Sequence, residues 1–120
     1  MMNKSQRVHI KGDDVILFDE NQVEKRIKFP HPIAEVLEFQ NIAIVMLAPK
    51  LKSAFNENVY GVDYKGNILW QIQQRKYVYE DSPYTGIIRE GENVRLFNWD
   101  GAELIVDPST GRILNEEYRK

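Results

Sequence analysis

No cysteine occurs among the 120 residues, which removes disulfides and thiolate metal sites from consideration. The chain has two histidines, His9 and His31, so a zinc site would need carboxylates to complete it. A reducing environment is permitted, and a cytoplasmic location is the expectation. The opening segment MMNKSQRVHIKGDD lacks the apolar stretch of a secretory signal, and no run approaches the ~18 apolar residues of a spanning helix. An excess of positive charge is missing too. Sixteen basic against 18 acidic side chains leave a formal net charge of −2, without the field that phosphate backbones select. Neither nucleic acid nor a membrane is expected as a partner.

What remains is the composition of one ordinary globular domain over residues 1–120, 42% hydrophobic and 28% charged. Apolar residues come in short runs between turn signals, at spacings of about seven to twelve residues, the pattern of an antiparallel all-β domain. Strands are expected over Arg7–Lys11, Val15–Phe18, Val23–Phe29, Ile33–Phe39, Ile42–Ala48, Val59–Tyr64, Ile68–Gln73, Tyr84–Arg89, Val94–Trp99, Glu103–Asp107 and Arg112–Tyr118. The segment after Pro32 also suits a short helix, because proline is favoured at a helix start. Strand is preferred there because the next copy of an internal repeat reads as strand.

That repeat is the most informative feature. Asn58–Trp70 aligns with Ala102–Leu114, placing Val62 on Val106, Asp63 on Asp107 and Gly66 on Gly111. Upstream, Glu38–Met46 aligns with Glu90–Asn98, with Asn41 on Asn93, and a fainter copy sets Val15–Asp19 on Val59–Asp63. A period of about 40–50 residues holding short strands describes antiparallel four-stranded meander repeats, one propeller blade each. The repeat units cover approximately 7–29, 33–73 and 84–118.

The hairpins Val62-Asp-Tyr-Lys-Gly-Asn-Ile-Leu-Trp70 and Val106-Asp-Pro-Ser-Thr-Gly-Arg-Ile-Leu114 resemble those of β-propeller repeats of the pyrroloquinoline-quinone (quinoprotein dehydrogenase-like) type. The resemblance implies a strand ending in aspartate, a turn ending in glycine, and a returning tryptophan that docks between blades. Only the middle copy is complete: Asn115 stands in the place of Trp70 in the last copy, Arg26 in the first, where Gln22 also replaces the glycine. About two and a half blades are too few for a closed propeller, which needs at least about four. No cofactor is therefore carried over, since quinone binding uses the funnel of a complete ring. An open row leaves outer faces and edges uncovered, so either the blades collapse into a compact core or two chains share the burial as a homodimer.

Candidate chemistry is sparse. Asp63 and Asp107 could be read as a carboxylate pair, but their equivalent places before turns favour turn capping, as for Asp19. His9, Asp13, Asp14, Asp19 and Glu20 lack the alternating order of a calcium loop. His31, between Pro30 and Pro32, reads as a stiff link. No catalytic, cofactor-binding or metal-binding residue is assigned.

Two loops carry the recognition candidates, since binding residues concentrate on loops held by rigid scaffolds. Pro49–Asn58 offers Leu51 and Phe55, four apart and able to share one face of a helical turn. Gln73–Tyr84 offers Arg75, Lys76, Tyr77, Tyr79 and Tyr84, the amphipathic composition of an interface anchor, with Trp99 as a neighbour. The expectation is a non-enzymatic protein-interaction module, of the immunity or inhibitor type or self-associating, with an unidentified protein partner. The alternative is a small-ligand or carbohydrate binder that stacks its ligand on exposed aromatics.

Overall fold

Turns rich in glycine and Asx residues, and one longer loop over 48–58, fold the apolar runs of each repeat back on their predecessors, and this builds every sheet from neighbours in sequence. The computed structural model describes residues 7–118; residues 1–6 and 119–120 of the expected domain lie outside that range. The strands are β1 Val8–Lys11, β2 Asp14–Phe18, β3 Glu24–Lys28, β4 Ile33–Glu38, β5 Ile42–Leu47, β6 Val59–Asp63, β7 Ile68–Gln71, β8 Tyr84–Glu90, β9 Asn93–Asn98, β10 Ala102–Val106 and β11 Ile113–Tyr118. They form three antiparallel meanders, β1-β2-β3, β4-β5-β6-β7 and β8-β9-β10-β11, and none closes on itself. No helix occurs among the described residues.

The segment after Pro32 is strand β4, paired with β5 through Val36↔Val45 and Leu37↔Ile44. Alternation explains why helix loses: Val36 packs into the core between sheets one and two, and Leu37 into the core between sheets two and three. The same two-sided demand explains the unbroken apolar run of β5, whose Ala43, Val45 and Leu47 face one core while Ile44 and Met46 face the other. The flanking sheets alternate instead, with Val15 and Leu17 of β2 and Val94 and Leu96 of β9 facing inward.

Trp70 lies between the second and third sheets, its indole Nε1 donating to the Pro108 carbonyl at 2.8 Å. Gly61 and Gly111 make room for the ring, since a β-carbon at either would overlap it. In the first sheet the equivalent place belongs to Lys25, not Arg26. The β6–β7 ladder has a bulge between Gly61 and Val62 that adds one residue, whereas β2–β3 has none, so Lys25 lies opposite Leu17 as Trp70 lies opposite Gly61. Lys25 accordingly packs on Gly66, with a β-carbon there only 3.0 Å from its own. Gln22 takes φ 63°, the left-handed conformation that Gly66 takes at φ 90° in the next copy.

The two outer faces carry charge pairs, set on the third sheet beside the apolar Ile88, Phe97 and Ile105. Arg26 pairs with Asp14 at 3.0 Å on the first sheet, and Arg95 bridges Glu90 and Glu103 at 2.7 Å each on the third.

Candidate functional site

The two long loops of the second and third repeats meet at one end of the stack. Asp81 is the joint: its carboxylate accepts hydrogen bonds from the backbone N–H of Lys52 at 2.8 Å and of Ala54 at 3.1 Å. Both residues have positive φ, 64° and 56°, a conformation costing a non-glycine residue about 1–2 kcal/mol. The carboxylate thus holds the loop in a shape its sequence does not prefer. This overturns the expected helical turn: Leu51 points to solvent, 90% exposed, while Phe55 turns back onto the His31 ring, centroids 4.7 Å apart.

Buried amides complete the frame. The Asn56 side chain donates to the Glu80 carbonyl and accepts from Ser82 N–H, both at 2.8 Å. Asn58, wholly buried, donates to the carbonyls of Leu47 and Tyr84 and accepts from Tyr84 N–H, which ties the second sheet to the start of β8. Asn98 donates to the Ser82 carbonyl. The sequence reading passed over these residues; the one signal available was the spacing Asn56-x-Asn58 inside a loop otherwise rich in exposed residues.

Arg75 and Asp100 form the second joint, a bidentate pair with Nη2 at 2.9 Å from Oδ1, their side chains 7% and 0% exposed. Asp100 also accepts from Val78 N–H and Ala102 N–H, so it anchors the connecting segment to the β9–β10 turn. The Arg75 guanidinium lies 4.8 Å from the centroid of the Tyr77 ring, whose hydroxyl donates to Glu57 Oε2 at 2.7 Å. Burial, then that bond to Glu57, pushes the Tyr77 phenol upward. Burial pushes Tyr84 up to about 12.

The candidate residues therefore divide. Tyr84, Arg75 and Tyr77 belong to the frame, and Phe55 is half-buried on His31. Leu51, Tyr79 and Trp99 are outside it, at 90%, 57% and 66% exposure, with Val78, missed by the sequence reading, at 57%. Lys76 is exposed beside them. Backbone bonds keep this set on one loop cluster: Trp99 N–H to Pro83 O at 2.9 Å, Val78 N–H to Asp100, and Lys52 N–H to Asp81. Large apolar side chains exposed on a rigid frame are suited to burying surface against a partner.

At the opposite end of strands β2 and β6, a cleft of about 500 Å³ opens between the turns that hold Asp19 and Asp63. Arg7 lies over the Tyr64 ring, 3.6 Å from its centroid, and donates to the Gln40 carbonyl. Burial raises Tyr64 to about 12. Asp63 is turned into its own loop: burial pushes its carboxyl up, but bonds from the Asn67 side chain and from Asn67 and Lys65 N–H outweigh this and hold it low. Asp19 and Asp107 accept from their own turns in the same way. All three act as turn caps.

Among solved structures, the chain is similar to BamB from Moraxella catarrhalis, with a TM-score of 0.65 at 15% identity over 98% of this chain and 36% of that one. It is also similar to the computationally designed Ika8 protein, with a TM-score of 0.57 at 13% identity over 92% and 35%. The chain thus spans about a third of the length of either structure. At such identities the likeness shows the fold, a row of propeller-like blades. No curated protein matches the sequence. Residues 7–118 match the family described as Domain of unknown function (DUF7957), and the chain belongs to it.

Proposed function

We propose that this chain is a non-enzymatic protein-interaction module that binds a protein partner, in the manner of an inhibitor or immunity protein, through the loop end bearing Leu51, Val78, Tyr79 and Trp99. The carrying observation is the pair of anchored loops: two carboxylates, the partly exposed Asp81 and the buried Asp100, hold by hydrogen bonds to backbone N–H groups the loops that place four large apolar side chains in solvent. Preorganisation of this kind lowers the ordering cost of binding, and aromatic anchors dominate interface energetics. The Asp63 to Trp70 hairpin, with its tryptophan set between blades, supports reading the repeat as the pyrroloquinoline-quinone type, used here as scaffold only.

The test is affinity capture from native extract with the wild-type chain and with a Leu51→Asp/Trp99→Asp variant that retains its circular dichroism. A protein retained by the wild type and lost by the variant supports the reading. An identical captured set, or background alone for both, overturns it.

A further inference from the structure

Among the described residues the first sheet has three strands where the others have four, and the place of the fourth is definite. In β1–β2 the pairs Arg7–Phe18, His9–Ile16 and Lys11–Asp14 alternate with Val8–Leu17 and Ile10–Val15, and Phe18 N–H bonds to the Arg7 carbonyl. By the alternation of antiparallel ladders, the N–H and C=O groups of Val8 and Ile10 therefore point away from β2. Repeat equivalence sets Val8 and Ile10 against Ile44 and Met46 of β5 and Arg95 and Phe97 of β9, each named by its partner in the next strand, Leu17 and Val15, Gly61 and Val59, Ile105 and Glu103. In the complete sheets that same edge is covered by β4 and β8.

We propose that the open edge of β1 is a strand-addition site for an extended segment of a partner polypeptide, which completes the first blade as its fourth strand. The chemistry of the segment follows from the strands in the equivalent places. β4 brings Val36-Leu37 and β8 brings Ile87-Ile88, two consecutive aliphatic residues of which the second, Leu37 or Ile88, lies opposite Ile44 or Arg95. A segment with such a pair would set its second residue beside Val8, on the side that faces the second sheet. Ile10, 48% exposed although its partner Val15 is fully buried, is the side chain that the added strand would cover. Main-chain bonds to the edge supply affinity and the aliphatic pair supplies selectivity. This site is separate from the loop end and stands without it.

The experiment is amide hydrogen exchange on the full chain, read at Val8 and Ile10, with and without a blocked peptide of the sequence Tyr84–Glu90. Fast exchange alone and about tenfold slowing with peptide is the expected result. The Ile88→Pro peptide, lacking the N–H that faces the edge, should give no slowing. Neither should the Val8→Pro chain, whose fold should survive because that N–H makes no bond within the sheet. Slow exchange in the chain alone, whatever its concentration, would mean the edge is already covered and overturns the proposal. Slowing that grows with protein concentration in the absence of peptide would put a second copy there and overturn the assignment to a separate partner. No response to the peptide overturns it as well.

Discussion

The Trp70 indole lies against the backbone of Gly111: a β-carbon at that glycine would stand 2.5 Å from the ring, and the indole N–H reaches the Pro108 carbonyl. One side chain of the second sheet thereby reads two features of the third, an absent β-carbon and a carbonyl. Trp70→Ala should cost about 3–5 kcal/mol, and Gly111→Ala a similar amount, since φ 78° adds backbone strain to the overlap. Urea denaturation of each variant checks this; a loss under about 1 kcal/mol would show that the contact does not hold the sheets together.

Removing Arg75 leaves the buried Asp100 carboxylate with backbone N–H donors alone, and removing Asp100 leaves the buried guanidinium with only the more distant Glu116, at 3.6 Å. Asp100→Ala and Arg75→Met should each destabilise by about 3–5 kcal/mol, and the double variant by less than the sum. A double-mutant cycle measures the coupling. Hydrogen exchange should show the loss first in 73–83, the segment that Asp100 anchors.

Trp99 and Trp70 differ in environment, 66% against 9% exposed, so acrylamide quenching should resolve two populations. Trp99→Ser should remove the accessible one with a stability change within about 0.5 kcal/mol, as for a surface side chain. A larger loss would place Trp99 in the scaffold and weaken its reading as a binding residue.

Burial raises the folded-state pKa of Tyr64 and Tyr84 to about 12, with Tyr77 raised also. The neutral phenols are thus favoured by folding. Their contribution is fully present below the unfolded value of about 10 and is lost as pH rises through the folded values near 12. Thermal unfolding followed across that alkaline range should show a falling midpoint, accompanied by late phenolate absorbance. Tyr64→Phe should flatten part of the fall.

Gln22 occupies a left-handed position that glycine fills in the later copies. Gln22→Gly should raise stability by about 0.5–1 kcal/mol, the relief of side-chain strain less the entropy gained by the unfolded chain. Differential scanning calorimetry would register it as a higher midpoint.

Alternation, turn chemistry and the repeat were legible in the linear order, because strand period, Asx-Gly turns and hairpin pairing are local. They suffice for the order of strands and for Asp19, Asp63 and Asp107 as caps. The Lys25 substitution for Trp70 was not legible, since it depends on a bulge present in one ladder and absent from the other. Nor was the fate of the loop residues. Arg75 and Tyr84 have the composition of an interface anchor, yet each is drawn inward by a partner distant in sequence, Asp100 for one and Asn58 for the other. Leu51 and Phe55 share a helical spacing, yet Asp81 imposes a left-handed backbone that separates them.

By itself, then, the sequence determined the all-β class, the blade-like repeat and the place of its turns, because these follow from residue neighbours a few positions apart. The tertiary structure decided which aromatic and charged residues remain outside the core and, among the described residues, which sheet has three strands in place of four. Burial depends on what the chain brings opposite a residue from 20 or more positions away, as Asn58 does for Tyr84 across 26 positions and Asp100 for Arg75 across 25.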